Sequence, residues 1–355
     1  MTGQSALWRR IQTEGLSTLA VVGMTKNTGK TVALNHILAC ADQHKVRVGV
    51  TSIGRDGESR DQVFSFPKPP VKVWPGTLVA TARDTLIRAK VATRPVCSTG
   101  LDSPMGEIVI LKALEYGEME IAGASRSSDL VKLIVQLKEC GSALVVLDGA
   151  LGRSHHASPA IADGVVLATG AAIGGGVQDV IRKTRDRLAI LGVAEAGETM
   201  QKQCEPVFSG GGVGVWDSRG DCLFLARIST LNSAPELMQQ AQADIKTVAV
   251  SGAVGRKLWS ALMVLAAGKP GLTVVIHDGT RLFVEAADLA AFRALGAQLR
   301  AYQKIRIVGV TVNPFSPQGG DFDARDLLDA TRHAFPHYDV TDVVLEQETL
   351  PTSLA

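Results

Sequence analysis

Aromatic side chains are scarce in this chain: Phe, Trp and Tyr make up 5% of its 355 residues. Glycine is frequent by contrast, at 36 residues, so backbone turns are expected to matter more here than aromatic stacking. Cysteine is scarce as well. The five thiols, Cys40, Cys97, Cys140, Cys204 and Cys222, are odd in number and scattered, without a CxxC pair or the Cys/His spacing of a zinc site. That pattern excludes a disulfide-stapled scaffold and predicts buried thiols in a reducing compartment. An excess of either charge is missing too, because 37 Lys+Arg face 35 Asp+Glu and leave +2. Near-neutrality makes nucleic acid an unexpected partner. The longest uncharged stretch, 164–178, is too short and too glycine-rich to span a bilayer. The first residues lack the apolar centre of a signal peptide. A cytoplasmic protein without membrane contact is the expectation. There is no nucleophile elbow, no HExxH and no glycosidase-like carboxylate pattern.

Charge is nevertheless uneven along the chain. Residues 1–95 carry 14 Lys/Arg and 6 Asp/Glu, a net of +8, whereas residues 96–355 carry 23 and 29, a net of −6. The basic first third suits an anionic ligand. Within it, the β-branched run 18–22 (TLAVV) is followed by Gly23-Met-Thr-Lys-Asn-Thr-Gly29-Lys30-Thr31. Next comes VALNHILACADQH, whose apolar residues recur at helical spacing. Strand, glycine-bounded turn, GKT and helix form the setting of a phosphate-binding loop. Backbone N–H groups of Gly23, Thr25, Lys26, Asn27, Thr28, Gly29, Lys30, Thr31 and Val32 would surround phosphates at the positive end of a helix. Lys30 would reach the terminal phosphates, and the Thr31 hydroxyl would ligate Mg²⁺.

Five residues separate Gly23 from Gly29, where the common pattern has four. The longer spacing resembles dethiobiotin synthetase and its relatives, a P-loop branch that includes ParA/MinD-like ATPases and cobyric-acid amidotransferases. Lys26 stands at a different offset from the signature lysine of the ParA-like proteins, so no trans-acting role is assigned to it. A second motif is the apolar run 143–147 (ALVVL), which closes in Asp148-Gly149. An acid ending a buried strand is the Walker B pattern, and it predicts metal contact by Asp148 opposite Thr31. Dethiobiotin synthetase-like proteins carry a longer glutamate there. After the strand at 46–53, the loop 54–61 offers Asp56 and Glu58 to Mg²⁺ and Arg55 to phosphate. Asn313, closing the strand at 304–314, resembles the position that meets the nucleotide base. Arg153, His155 and His156 fall in a loop, and His277-Asp278 closes another strand.

These alternations predict an α/β fold: a P-loop NTPase with a mostly parallel sheet flanked by helices, plus a smaller C-terminal α/β unit. The expected boundaries are a nucleotide-binding domain at 1–195, an irregular linker at 196–232 and a second unit at 233–355, possibly continuing the same sheet. Helices are expected at 77–92, 105–115, 129–139, 255–267, 286–301 and 323–335.

The stretches GMTKNTGKTVALNHIL, TSIGRDGE, GLDSPMGEIVILKAL and VVLDGALGRSHHASPAIADGVVLATGAAI together resemble one group. It is the P-loop subunit of the reactivating factor for lysine 5,6-aminomutase, a cobalamin- and pyridoxal-phosphate-dependent enzyme of lysine fermentation. The resemblance covers about residues 18–190 and implies binding of ATP, or GTP, with Mg²⁺ held by Thr31, Asp148 and Asp56. Lys30 and Asp148 would act on the phosphates. The implied partners are the aminomutase, from which damaged cobalamin is released, and a MutS-like ATPase; a homodimer stays open. No DxHxxG motif is present, so the client would hold the cobalamin. The alternative is an ATP-dependent ligase or carboxylase of the dethiobiotin synthetase type, with a substrate pocket lined by Lys72, Ser98, Thr99 and Arg153.

Overall fold

A computed structural model describes residues 5–52, 70–149 and 157–349, and the elements and counts below are of those residues. The chain divides into two units, Met1–Thr184 with Ile307–Ala355, and Arg185–Arg306.

The first unit opens with α1 (Ala6–Thr13), β1 (Thr18–Gly23), α2 (Lys30–Gln43) and β2 (Val48–Ser52). There follow β3 (Val71–Val73), β4 (Leu78–Ala82), β5 (Thr93–Ser103), β6 (Gly106–Ala113) and β7 (Gly117–Met119). Then come α3 (Ser127–Glu139), β8 (Leu144–Asp148), β9 (Gly164–Gly170) and the start of α4 (Val177–Leu191). Nine strands join in the order β16-β15-β9-β1-β8-β2-β4-β6-β5, where β15 (Ile307–Asn313) and β16 (Val340–Thr341) come from the far end of the sequence. Every pairing from β16 to β4 is parallel, and β6 and β5 add an antiparallel edge. Burial on both faces explains why β1, β8 and β9 read as unbroken apolar runs. On one face Leu19, Val21, Val50, Val146 and Val166 pack with Leu7, Trp8 and Ile11 of α1 and Leu34, Ile37 and Leu38 of α2. On the other lies α3, for which Gly49 makes room: a Cβ there would lie 3.2 Å from Leu137 Cδ2. The unit ends with α9 (Ala324–Ala334) and α10 (Val343–Thr349). Ser5 Oγ, 2.9 Å from His36 Nε2, donates to Glu346 Oε2 (2.8 Å), linking the start of α1 to α2 and α10.

The second unit holds α5 (Glu198–Gly210), β10 (Val213–Asp217), β11 (Cys222–Ala226) and α6 (Ala234–Gln239). It continues with β12 (Ile245–Val250), α7 (Arg256–Gly268), β13 (Thr273–Ile276), α8 (Ala286–Ala294) and β14 (Gln298–Ala301). Its sheet runs β11-β10-β12-β13-β14, parallel from β12 to β14 and antiparallel at the β10–β11 side.

The α/β class and the large, mostly parallel, helix-flanked sheet are as expected. The boundaries differ. Residues 196–232 form a helix and an antiparallel hairpin within the second sheet, where a linker was expected. Residues 307–349 return to the first sheet through β15, which pairs with β9. In sequence, the smaller unit is therefore inserted between two stretches of the first, not appended after it. Strand–helix alternation looks the same in both sheets, and only pairing assigns a strand to one of them. Two expected helices are also strands. The run IVIL in 105–115 belongs to β6 and part of 77–92 to β4, which pair antiparallel; a short apolar run fits either structure until a partner strand selects one. The end of 286–301 is β14, and the helix stops at Ala294. Among the described residues, no helix is long and apolar enough to cross a membrane.

Candidate functional site

The chain order reverses around β1: β8 and β2 lie on one side of it, β9 and β15 on the other. Ligands of open α/β sheets bind at the carboxyl ends of strands where the order switches. Gly23 ends β1 there. Met24 N still donates to Ala168 O of β9 (2.9 Å), and the chain then turns through Thr25–Thr28 into α2. Asn27 (φ 63°) and Gly29 (φ 85°) both take the left-handed conformation. Asn tolerates it, and Gly adopts it without strain. Gly29 caps α2 with no side-chain hydrogen bond, so no capping side chain meets the first amides of the helix.

The loop holds its own shape. Lys30 Nζ donates to Thr25 O (3.1 Å), and the buried Thr28 Oγ1 donates to the same carbonyl (3.0 Å). Gly23 permits this close fold, since a Cβ there would lie 2.6 Å from Thr28 Oγ1 and 2.8 Å from Lys30 Cγ and Cδ. On its outer side the loop leans on β15. Asn313 Nδ2 donates to Asn27 O (2.9 Å) and to Phe315 O (3.2 Å), and Asn313 Oδ1 accepts from Phe315 N (3.3 Å). The Asn313 amide thus braces the loop and its own turn. Thr25, Lys26, Asn27, Lys30 and Val32 are each at least partly exposed, whereas Thr28 and Thr31 are buried.

Asp148 is the last residue of β8, in register with Val21 of β1 on one side and Ser52 of β2 on the other. It is buried, and Gly149 N after it donates to Val21 O (2.9 Å). The structure therefore places the Walker-like acid on the strand next to the loop strand, at the same end of the sheet. A hydroxyl from Thr31 and a carboxylate from Asp148 are hard oxygen donors, the kind Mg²⁺ takes alongside water and phosphate. Among the described residues, no group of three or more His, Cys, Asp or Glu could hold a metal by itself. Arg55, Asp56 and Glu58, and Arg153, His155 and His156, lie outside the described residues.

Of the four residues expected to line a substrate pocket, Arg153 lies outside the described residues, and Ser98 and Thr99 stand away from the loop. Ser98 and Thr99 lie on β5, the edge strand five positions from β1, roughly 24 Å away at the usual strand spacing. Thr99 Oγ1 donates to Ile108 O (2.6 Å) and Ser98 Oγ to Glu107, both on neighbouring β6. Lys72 sits on β3, its N–H donated to Asn35 Oδ1 (2.9 Å). Sequence reasoning missed Ser52, whose hydroxyl donates to Ile121 O (2.8 Å) and accepts from Gly123 N (3.2 Å) at the strand end beside Asp148. Nothing local marks it, because its partners lie about seventy residues away. The thiols also differ from expectation. Cys40 and Cys204 are buried, but Cys97 and Cys140 are partly exposed and Cys222 is exposed.

No protein-family model matches the chain, and no curated protein matches it significantly either.

Proposed function

We propose that this chain is a P-loop nucleotide-binding protein that takes ATP, with Mg²⁺, in the turn between β1 and α2. We further propose that nucleotide binding and hydrolysis serve to remodel a cobalamin-dependent aminomutase of the lysine 5,6-aminomutase type. The observation that carries the first statement is the turn itself. Left-handed residues 27 and 29, a helix start without a side-chain cap and a lysine folded onto its own loop all lie at the carboxyl end of the sheet's switch strand. Such a turn offers backbone donors to an anion without reorganising the sheet.

In this reading Lys30 exchanges Thr25 O for the terminal phosphate oxygens. Thr31 and Asp148 hold the metal, which neutralises charge on the phosphates when bound. Asn313 keeps the loop in register. The second statement rests on the sequence resemblance and on energetics: a factor that opens a client around a tightly held cofactor needs a cycle of ordering and release, which γ-phosphate contacts can drive.

Calorimetry with Mg·ATP and Mg·GTP tests the first statement. Binding by the native chain and a 10- to 100-fold loss in Lys30→Ala, roughly the value of a charge-assisted hydrogen bond, is expected. No binding of either nucleotide overturns it. Recovery of activity by inactivated aminomutase, on addition of this chain, the MutS-like ATPase and ATP, tests the second. Recovery independent of nucleotide overturns it.

A further inference from the structure

The Sγ atoms of Cys97 and Cys140 are 3.8 Å apart, although 43 residues separate them in sequence. Cys97 lies on the edge strand β5, whose register against β6 shifts between Pro95 and Cys97, and such bulges redirect a side chain. Cys140 is the C-cap of α3, followed by Gly141 at φ 101°. A disulfide needs sulfurs about 2.05 Å apart, so the remaining closure is under about 2 Å, shared between two side chains. A groove of about 490 Å³ runs along the same β5–α3 seam, lined by Thr99 and Leu101 on one side and Val131, Val135 and Gln136 on the other. Cys97 and Cys140 lie outside this lining but are themselves partly exposed, so a dissolved small disulfide can reach them.

We propose that Cys97 and Cys140 form a reversible dithiol site for a low-molecular-weight disulfide of the glutathione class, closing a bond that staples β5 to α3. The Cys97 thiolate attacks one sulfur of the small disulfide. A Cys97–S bond forms, the S–S bond breaks, and one thiolate leaves with the electron pair. Cys140 then gives its proton to solvent and attacks the Cys97 sulfur, expelling the second thiolate. The pair loses two electrons and two protons, and the small disulfide becomes two thiols.

Burial, then the Cys97 thiol and the Glu139 carboxylate, raise the pKa of Cys140. A protonated thiol is a slow nucleophile toward a dissolved disulfide. Contact with Cys97 gives Cys140 the second step, which is intramolecular and favoured by proximity. The staple bears on the first unit's core because α3 passes through four residues, 140–143, into β8, the strand that ends in Asp148. Nothing in this proposal depends on nucleotide binding.

The test uses the full chain carrying Cys222→Ser, which removes the exposed thiol. It is equilibrated with oxidised and reduced glutathione, quenched in acid and peptide-mapped. A Cys97–Cys140 linked peptide is expected to exceed the mixed disulfides at these residues by roughly tenfold or more, as held proximity dictates. Dithiothreitol is expected to reverse the link. Adding Cys140→Ser leaves a persistent single glutathione adduct on Cys97, because the resolving thiol is gone. Separate glutathione adducts on both residues of the parent chain, or no modification of either, overturns the proposal.

Discussion

Each of the two units contains a strand that runs into a helix through a glycine-bearing turn followed by basic residues, and the two turns behave differently. In the first unit β1 leads through residues 24–29 to Lys30. In the second, β12 leads through Ser251-Gly-Ala-Val-Gly255 to Arg256 and Lys257. Both helices start at a glycine without a side-chain cap. The second turn, however, is zipped to the chain after β13: Val254 N donates to Arg281 O (2.8 Å), and Phe283 N donates to Val254 O (3.0 Å). Its Gly255 has φ −91°, open to any residue. The first turn instead uses two left-handed residues and pulls its own lysine inward. The two turns therefore differ less in composition than in how neighbouring strands hold them: the second has both the N–H and the C=O of Val254 in a bridge to 281–283, whereas the first has the Met24 N–H bound to β9 and the Asn27 C=O held by the Asn313 side chain.

The largest effect expected from this contrast is on nucleotide affinity. Lys30→Ala should weaken Mg·ATP binding about 10- to 100-fold, whereas Arg256→Ala, at the corresponding first position of α7 in the second unit, should change it less than about twofold, within the usual effect of an exposed substitution. Equal losses in titration calorimetry would erase the distinction. Next comes backbone strain. Gly29→Ala puts a side chain at φ 85°, with its Cβ 3.1 Å from Asn313 Cβ, and should destabilise by about 1–3 kcal/mol in urea unfolding. Gly255→Ala meets nothing within 4 Å at an ordinary φ and should be neutral or stabilising by up to about 1 kcal/mol. A similar cost at both sites would mean that the left-handed turn is not held. Smaller still is the brace. Asn313→Ala removes the bond to Asn27 O and should cost about 1 kcal/mol. The same variant should weaken nucleotide binding several-fold, because the loop loses its outer support.

Much of this site is legible in the sequence. The apolar run before Gly23, the helical spacing after Lys30 and the acid closing 144–148 are local patterns, and local patterns survive into the fold. Asn313 was legible as a strand-end residue, but its partner Asn27 stands 286 positions away, and only the β9–β15 pairing brings them together. For the same reason β15 was assigned to the second unit. Ser98 and Thr99 enter only as the pocket lining that a ligase would need; the antiparallel edge formed by β6 and β5 places them far across the sheet. The run IVIL of β6 carries no periodicity that distinguishes strand from helix. Chemistry encoded within about ten residues could be read, whereas chemistry that depends on strand order could not.

The smallest effect expected separates the units by how each holds a strand terminus. Before β1, the Asp163 carboxylate accepts from Ser17 N (2.9 Å), Ser17 Oγ (2.7 Å) and Thr18 N (2.9 Å). After β10, Asp217 accepts from Arg219 N and Asp221 N (both 2.9 Å) and pairs with the Arg219 guanidinium. Partial burial pushes Asp163 upward, but the Ser17 and Thr18 bonds, with Lys138 nearby, outweigh it and leave its pKa below the usual carboxylate range. The bonds from Asp221, Arg219 N–H and the Arg219 side chain lower that of Asp217. Both carboxyls are thus more acidic folded than unfolded. Their stabilisation is complete above the unfolded value of about 4 and is lost as pH falls through the lower folded value. Asp163→Asn and Asp217→Asn should each lower the urea midpoint at pH 7, and the gap to the native chain should narrow steadily below about pH 4. The loss should be larger for Asp163, which ties two segments 146 residues apart, than for Asp217, whose partners lie within four residues. A gap that stays constant down to low pH would show that the hydrogen-bond geometry, and not the charge, stabilises these ends.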